Sequence, residues 1–521
     1  MNKEFIKRLT LAHGWIGLTF SGLLFIIFFA GSIALFRQEI DLWAMQPHLP
    51  VTSGEQANVE KVINSALAGR DFDNKEHFTL MLPTHENPYY KAYVDIKGRT
   101  GDDHHDELLL DPMSGEVVSE GHKFELSEFM YKLHYDLNIP AGKYVLGFVA
   151  LFFLFAIISG VFIHAKKLFK NFFQYRGEKH KRSQLLDIHS VIGTISFPFM
   201  LMYAISGLIF NLVIIYQVAV VVTIYGGDQR ALFKDAGVAA IELEWQDNPT
   251  QRLNIDELIE KVTNEYQSAP RMLTIYNYGD ESAAIRFRSV RTSELTTDYD
   301  TTYSLVDERI IKRLDNDHRN SVITGTAVLR KLHYANYSST SLKILYLFLA
   351  LSVCGLIVTG NFLWIEKREK LRSHGTLSIT LARYVTMLCS AGVIFATSIG
   401  FFSERFMPVD LDNRVEMFRQ IFWASLAITA IIFALPKVRA NYKKSLAICL
   451  CVSASVIYAT LAMSLILFTQ PLIDLFNAGS YTTFAVDVAL FISASLLTLV
   501  GLKLMKKSTN VVEPTEEITV K

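Results

Sequence analysis

The tetrapeptide Lys-Leu-His-Tyr occurs twice, at residues 132–135 and 331–334, each time about ten residues ahead of a long apolar run. Two more histidines, His13 and His189, stand where a charged stretch passes into an apolar one. Imidazole is the commonest metal ligand and a regular axial ligand of haem iron. Histidines paired at both ends of apolar segments can therefore clamp a metal ion or a haem iron at each end. Bare zinc or copper sites usually draw on mixed ligands at short spacing, such as HxxxH or CxxC, and the apolar runs contain neither. Haem with two axial histidines fits better.

An internal repeat organises these residues. His13-Gly14-Trp15-Ile16-Gly17 aligns with His189-Ser190-Val191-Ile192-Gly193, and Ala30-Gly31 aligns with Ser206-Gly207 at the same offset. The Lys-Leu-His-Tyr motifs lead in the same way to Ser159-Gly160 and Thr359-Gly360, with one residue of slippage. The first 365 residues therefore read as a duplicated unit of helix, external module, helix. Halves related by a pseudo-two-fold axis along the membrane normal would set His13 opposite His189 and His134 opposite His333. On a helix, Gly17 and Gly31 share a face with His13, and Gly193 and Gly207 share one with His189. Such a stripe clears room for a large flat ligand, although small residues also serve close helix packing.

Three other features bear on the chemistry. His164 ends the second apolar run and its repeat counterpart is Trp364; ligation of the inner iron, a hydrogen bond to a haem propionate and an interfacial anchor are all open to it. The stretch Gly101-Asp102-Asp103-His104-His105-Asp106-Glu107 could bind a transition metal or dock a ferric substrate, or be a solvated loop tip. His374 has no identifiable partner.

The elements that must hold these residues are membrane helices. Half of the residues are hydrophobic, mean hydropathy is +0.25 and formal net charge is zero, which describes a membrane protein with sizeable polar parts and no nucleic-acid partner. Runs near the 20 residues a bilayer requires cover 15–36, 144–164, 190–216, 344–365, 384–402 and 445–468, with weaker ones at 421–435 and 481–502, the last containing Asp487. The expected fold is a polytopic α-helical membrane protein of about eight spans. Every second loop is rich in Lys and Arg, so both termini are expected in the cytoplasm. The first run is longer than the apolar core of a signal peptide and is read as a retained helix.

The expected organisation is span 1 over 1–37, a periplasmic α+β module over 38–142, span 2 over 143–165, a basic loop over 166–187, span 3 over 188–225, a second periplasmic α+β module over 226–342, span 4 over 343–365, a loop over 366–376, a four-helix extension over 377–505 and a tail over 506–521. Each module shows a helix, at 59–67 or 255–266, ahead of strand-like runs at 78–82, 90–96 and 107–111, or at 272–276, 283–287 and 302–306. Acidic residues outnumber basic by 19 to 8 over 38–142, which would not attract an anionic ligand. All four cysteines fall in expected spans and read as small buried residues.

The pattern Leu-His, short linker, span ending in Ser-Gly or Thr-Gly, then His or Trp and basic residues resembles the PepSY-associated transmembrane family. It is carried by Leu133-His134 to Lys166-Lys167 and by Leu332-His333 to Lys367-Arg368, and the external modules resemble PepSY domains. Members of that family include inner-membrane ferric-siderophore reductases holding b-type haems near both membrane faces. The resemblance implies two haems b in a multi-pass protein of the bacterial inner membrane, with His13, His189 and His164 serving the inner one and His134 with His333 the outer. It also implies a ferric siderophore or other ferric chelate as electron acceptor. No nicotinamide or flavin fingerprint occurs, so a quinol, a partner reductase or a soluble reductant would supply electrons. A non-enzymatic PepSY sensor or peptidase regulator is the alternative. A transporter ranks third because the core spans offer little polar besides Asn211.

Overall fold

Apolar length decides which helices can cross lipid. The computed structural model describes residues 3–49, 56–84, 87–99, 105–164, 181–290, 295, 298–315, 317–371 and 376–509. Helices are numbered in chain order: α1 (Lys3–Ala34), α2 (Arg37–Met45), α3 (Val59–Leu67), α4 (Leu126–Tyr135), α5 (Gly142–His164), α6 (Lys181–Ile195), α7 (Phe197–Asn211), α8 (Val213–Ile224), α9 (Gln229–Asp235), α10 (Ile255–Tyr266), α11 (Ser321–Tyr334) and α12 (Thr340–Leu371). They continue with α13 (Thr376–Met387), α14 (Val393–Phe406), α15 (Arg414–Ala434), α16 (Pro436–Ala440), α17 (Tyr442–Leu467), α18 (Thr469–Asn477) and α19 (Thr482–Thr509). Among the described residues seven helices are long and apolar enough to span a membrane, or eight if a bent pair counts as one. The chain is a polytopic helical membrane protein.

The two weak candidates at 421–435 and 481–502 are full-length helices, α15 and α19. The third run departs from expectation. A single helix over 190–216 is replaced by α6 and α7, bent by 65°, and by α8, whose 12 residues reach about 18 Å, short of the roughly 30 Å of hydrocarbon. Pro198 causes the first break, since it lacks an N–H and its ring crowds the carbonyl four residues earlier. In the fifth span, α13 passes into α14 through a π-helical turn at Leu388–Gly392.

Outside the spans, β1 (His77–Met81), β2 (Tyr90–Asp95), β3 (His105–Leu110), β4 (Val117–Glu120), β5 (Met272–Tyr276), β6 (Ala284–Val290), β7 (Asp298–Ser304) and β8 (Ile310–Leu314) form one antiparallel sheet in the order β4-β3-β2-β1-β5-β6-β7-β8. The two stretches read as separate modules are thus joined edge to edge by β1 and β5, with Phe78 opposite Ile275, Thr79 opposite Thr274 and Leu80 opposite Leu273. Alternation sends Phe78, Leu80, Ala92, Val94, Leu273, Ile275 and Phe287 into one core, where Val62 and Ile63 of α3 meet Leu258 and Val262 of α10.

The two halves also cap each other's helices. Asp256 accepts the backbone N–H groups of Val59 (2.7 Å) and Glu60 (3.1 Å) at the start of α3, and Glu60 accepts that of Ile255 (2.8 Å) at the start of α10. Arg252 grips the Glu60 carboxylate at 2.6 and 2.7 Å. Each such cap is worth about 1 kcal/mol.

The last four spans pack on the first half. Ala30, Trp43, Phe129, Met130 and Leu133 share a core with Phe401, Phe418, Phe422, Ile457 and Ala494. Four free cysteines lie among the helices. Two press where only glycine fits: a Cβ on Gly22 would stand 2.8 Å from Cys389 Sγ, and one on Gly501 2.5 Å from Cys451 Sγ.

Candidate functional site

His134 and His333 are carried by short helices outside the spans. In α4 the residues Leu126, Phe129, Met130 and Leu133 recur at helical spacing and are buried. The link into α5 turns tightly through Leu137, Asn138 and Ala141, all with positive φ, and Gly142 admits no side chain, because a Cβ would lie 1.7 Å from the Asp136 carbonyl oxygen. His134 is thereby held over α1. In α11, Asn320 caps the start and Ala335 ends the helix in the left-handed region.

Each of the four histidines docks on one of the small-residue motifs found in the repeat. His134 Nδ1 donates to the Ile27 carbonyl at 2.8 Å, four residues before Gly31. His189 Nδ1 donates to the Leu356 carbonyl at 3.1 Å, four residues before Gly360. His13 Nδ1 is 3.0 Å from Ser159 Oγ, and His333 Nδ1 is 2.7 Å from Ser206 Oγ. Both hydroxyls also lie within reach of carbonyls, Ser159 of Ala156 and Ser206 of Met202, to which they can donate their own protons while accepting from the imidazole. The carbonyl partners of His134 and His189 place the proton on Nδ1 and leave the Nε2 lone pair, which is how a metal-ligating histidine is set by its second hydrogen bond; the serine partners of His13 and His333 admit the same tautomer.

The glycines have a different role from the one expected of a stripe beside its own histidine. A Cβ on Gly31 would stand 2.6 Å from His134 Nδ1, one on Gly360 3.1 Å from His189 Cε1, and one on Gly160 3.4 Å from His13 Cε1. These glycines admit an imidazole from a neighbouring helix. Gly17 does face open space, with nothing within 4 Å, whereas Gly193 meets Leu356 at 3.6 Å and Gly207 meets Ala150 at 3.5 Å.

The structure brings His134 and His333 together. Their ring centroids are 5.9 Å apart at 52°, and two imidazoles on one iron, each nitrogen about 2 Å from the metal, have centroids about 6 Å apart. Both line a cavity of about 630 Å³ whose floor includes Phe28, Phe153, Phe199 and Ala204. That volume lies within the range of about 300–1,000 Å³ for small-molecule and cofactor sites. Burial lowers the pKa of His134, and burial together with the neighbouring His134 brings His333 down to about 3, so both imidazoles are neutral. Spacing, tautomer, protonation and volume all fit a haem.

At the far end, His13, His164 and His189 lie within electrostatic range of one another. Measured along α1, His13 is 14 residues from Ile27, so this group stands about 21 Å from the one near the sheet. His164 is the last residue of α5. Trp364, in the corresponding place, packs edge-on to Trp15 at 5.4 Å and lies 3.5 Å beneath the Arg368 guanidinium.

Other residues singled out from the sequence are placed elsewhere. Gly101 to His104 and His374 lie outside the described residues. Of the same acidic stretch, Asp106 pairs with Arg99 at 2.8 Å and Glu107 with Lys91 at 2.6 Å. Glu76, His77 and Asp95 could together approach a cation at one end of the β1–β2 pair, where Glu76 and His77 are exposed.

Sequence reasoning passed over a polar network between the first external module and the last spans. Glu404 is fully buried, accepts from the Glu125 backbone N–H at 2.8 Å and lies 3.5 Å from Arg414. Arg405 donates to Ser464 Oγ at 2.8 Å and stacks over Trp43, whose indole donates to Asp487 at 2.7 Å. These charges close an otherwise apolar run, the one signal that could have marked them. The network leaves the helices after residue 376 tied to α2 and α4.

The family model described as the PepSY-associated TM region matches residues 10–367. An uncharacterized protein of Pseudomonas aeruginosa is 20% identical over 304 residues, covering 54% of this chain and 74% of its own.

Proposed function

The chain belongs to the PepSY-associated TM family, and from that premise we propose that it is a haem-b reductase of the bacterial inner membrane that passes electrons outward to a ferric chelate. In this reading both termini are cytoplasmic, the sheet is a pair of PepSY-like modules in the periplasm, and residues 1–365 are a duplicated unit. One observation carries it: four histidines, two from each half, each with Nδ1 hydrogen-bonded to the protein, and one pair facing across a cofactor-sized cavity.

His134 and His333 would hold the haem near the sheet, and His13 with His189 the one at the far end, with His164 beside it. Bound haem would supply a one-electron iron couple at each end of the bundle. The Ile27 and Leu356 carbonyls and the Ser159 and Ser206 hydroxyls fix ring orientation and raise ligand basicity. Apolar walls such as Phe28 and Phe153 exclude water and tune potential through burial. Reduction of Fe(III) to the softer Fe(II) weakens its hold in oxygen-ligand chelators, which is how such a transfer would release iron. A quinol, a partner reductase or a soluble reductant would supply the electrons. The competing reading is a PepSY sensor or peptidase regulator in which the histidines only fasten helices.

An optical spectrum of the detergent-purified protein, air-oxidised and then dithionite-reduced, decides between them. Six-coordinate b-type bands at about two haems per chain are expected. A colourless protein after expression with ample haem would put the sensor first.

A further inference from the structure

The mouth of the sheet-side cavity is lined by four basic side chains, Arg37, Lys143, Arg271 and Lys343, and by one acid, Glu39. Lys343 is matched by Glu39 at 3.0 Å and Arg37 pairs with Glu128. Arg271 and Lys143 have no carboxylate partner among the described residues, although Lys143 lies over the Tyr144 ring at 5.3 Å. Arg271 comes from the residue just ahead of β5, at the seam of the sheet, whereas Lys143 opens α5. Two separate parts of the chain thus bring an unneutralised cation to one opening. Beside them Glu39 Oε2 and Asn336 Oδ1 are buried acceptors with no donor among the described residues. Unmatched cations next to unmatched acceptors describe a ligand with both carboxylates and hydroxyls. The surrounding stretch, 38–142, is acidic by 19 to 8, so the sign of the field reverses locally, and a low-dielectric cleft lined by one sign concentrates the opposite one.

We propose that this mouth is a carboxylate seat, with Arg271 and Lys143 as its binding groups. Resting on the reductase reading, it has two candidate occupants of the same chemistry: the propionates of the haem held by His134 and His333, or an anionic hydroxycarboxylate-type ferric chelate arriving from the sheet side. With a chelate seated there, a haem held by His134 and His333 would supply one electron, its iron passing from Fe(II) to Fe(III) as the chelated Fe(III) passed to Fe(II).

The test uses the full chain in detergent, reduced with dithionite, freed of excess and mixed with ferric citrate or, as a cationic control, hexaammineruthenium(III). Wild type, Arg271→Glu, Lys143→Glu and Arg271→Lys are compared for haem per chain and for reoxidation rate per haem. If the seat takes the chelate, each charge reversal slows ferric citrate by about tenfold, leaves the ruthenium rate and haem content unchanged, and Arg271→Lys recovers most of the rate. If it takes propionates, the reversals lower haem content and shift the reduced bands, and rates per remaining haem change alike for both oxidants. Unchanged haem and unchanged rates in both reversals overturn the seat. A colourless wild type would instead overturn the reductase reading, and calorimetry with redox-inert gallium citrate then reads the seat alone: binding lost in Arg271→Glu supports it, and no binding to wild type sinks it.

Discussion

In the first half the helix bearing His13 runs unbroken from Lys3 to Ala34, whereas in the second half the stretch bearing His189 bends by 65° between Ile195 and Phe197. The residues at the corresponding position are Gly22 and Pro198, related by the same offset as His13 and His189. Gly22 lies against Cys389 and Val385 of the fifth span, so the absence of a side chain lets a neighbour approach. Pro198 is the second residue of α7, next to Phe199, which packs on Phe28 and Tyr346. One position answers to close packing in one half and to a bend in the other. Two similar histidine arrangements can therefore differ in their supporting helices, because a histidine needs only its docking motif to be in place, not a straight helix beneath it.

The largest expected effect tests whether the halves contribute equally. His134→Ala and His333→Ala should each remove the haem near the sheet and halve the haem per chain, and His13→Ala or His189→Ala should remove the other; four unchanged spectra would refute the ligand assignment. Next, the two halves should part at their glycines. Gly31→Ala forces a Cβ to within 2.6 Å of His134 Nδ1 and should cost most of the sheet-side haem, while Gly207→Ala, 3.5 Å from Ala150, should keep it; equal haem loss in both variants would contradict the docking geometry.

A smaller effect, on stability, separates the aligned positions. Gly22→Val must displace Cys389 and should lower the thermal midpoint by an amount equivalent to about 2 kcal/mol, whereas Pro198 is exposed and Pro198→Ala should shift it by less than half of that. A reversed order would mean that the bend, not the packing, is the supporting feature.

The smallest effect concerns the first module alone. Hydrogen bonds that His122 donates to Glu107 and Glu125, against the opposing effect of burial, raise His122 to about 9. Burial alone would raise Glu107, but His122 and Lys91 hold it down to about 2. Since His122 is raised above its unfolded value near 6.5, its contribution is complete below about pH 6.5 and is lost as pH rises through 9. Glu107 behaves oppositely, contributing above about pH 4.5 and losing that as pH falls through 2. His122→Gln should flatten the alkaline limb of the stability profile measured between pH 6.5 and 9, and an unchanged limb would remove this tie from the account.

What could be read from the sequence follows from the range of each interaction. Helices 59–67 and 255–266 were legible because capping and apolar periodicity act within a dozen residues, and α3 and α10 occupy those stretches. The strand expected over 302–306 runs earlier in the chain, as β7 over Asp298–Ser304, because its Thr-rich, half-polar face gives a weak alternation. The pairing of β1 with β5 joins residues 195 apart and leaves no local pattern. At the candidate site, the positions of His13, His134, His189 and His333 and of the Ser-Gly and Thr-Gly motifs were visible in the repeat. Which motif receives which histidine depends on helices crossing in space, and the bend at Pro198 was masked by a continuous apolar run.

The exchange of caps between α3 and α10 has a consequence for assembly. Glu60 serves the start of α10 while Asp256 serves the start of α3, and Thr79 faces Thr274 at 3.3 Å on the line between them. Residue i meets j and j meets i, the rule of an isologous contact between two identical subunits. The seam therefore has the form of a homodimer interface written into one polypeptide, and fragments 1–170 and 171–521, expressed together, should copurify as a pair.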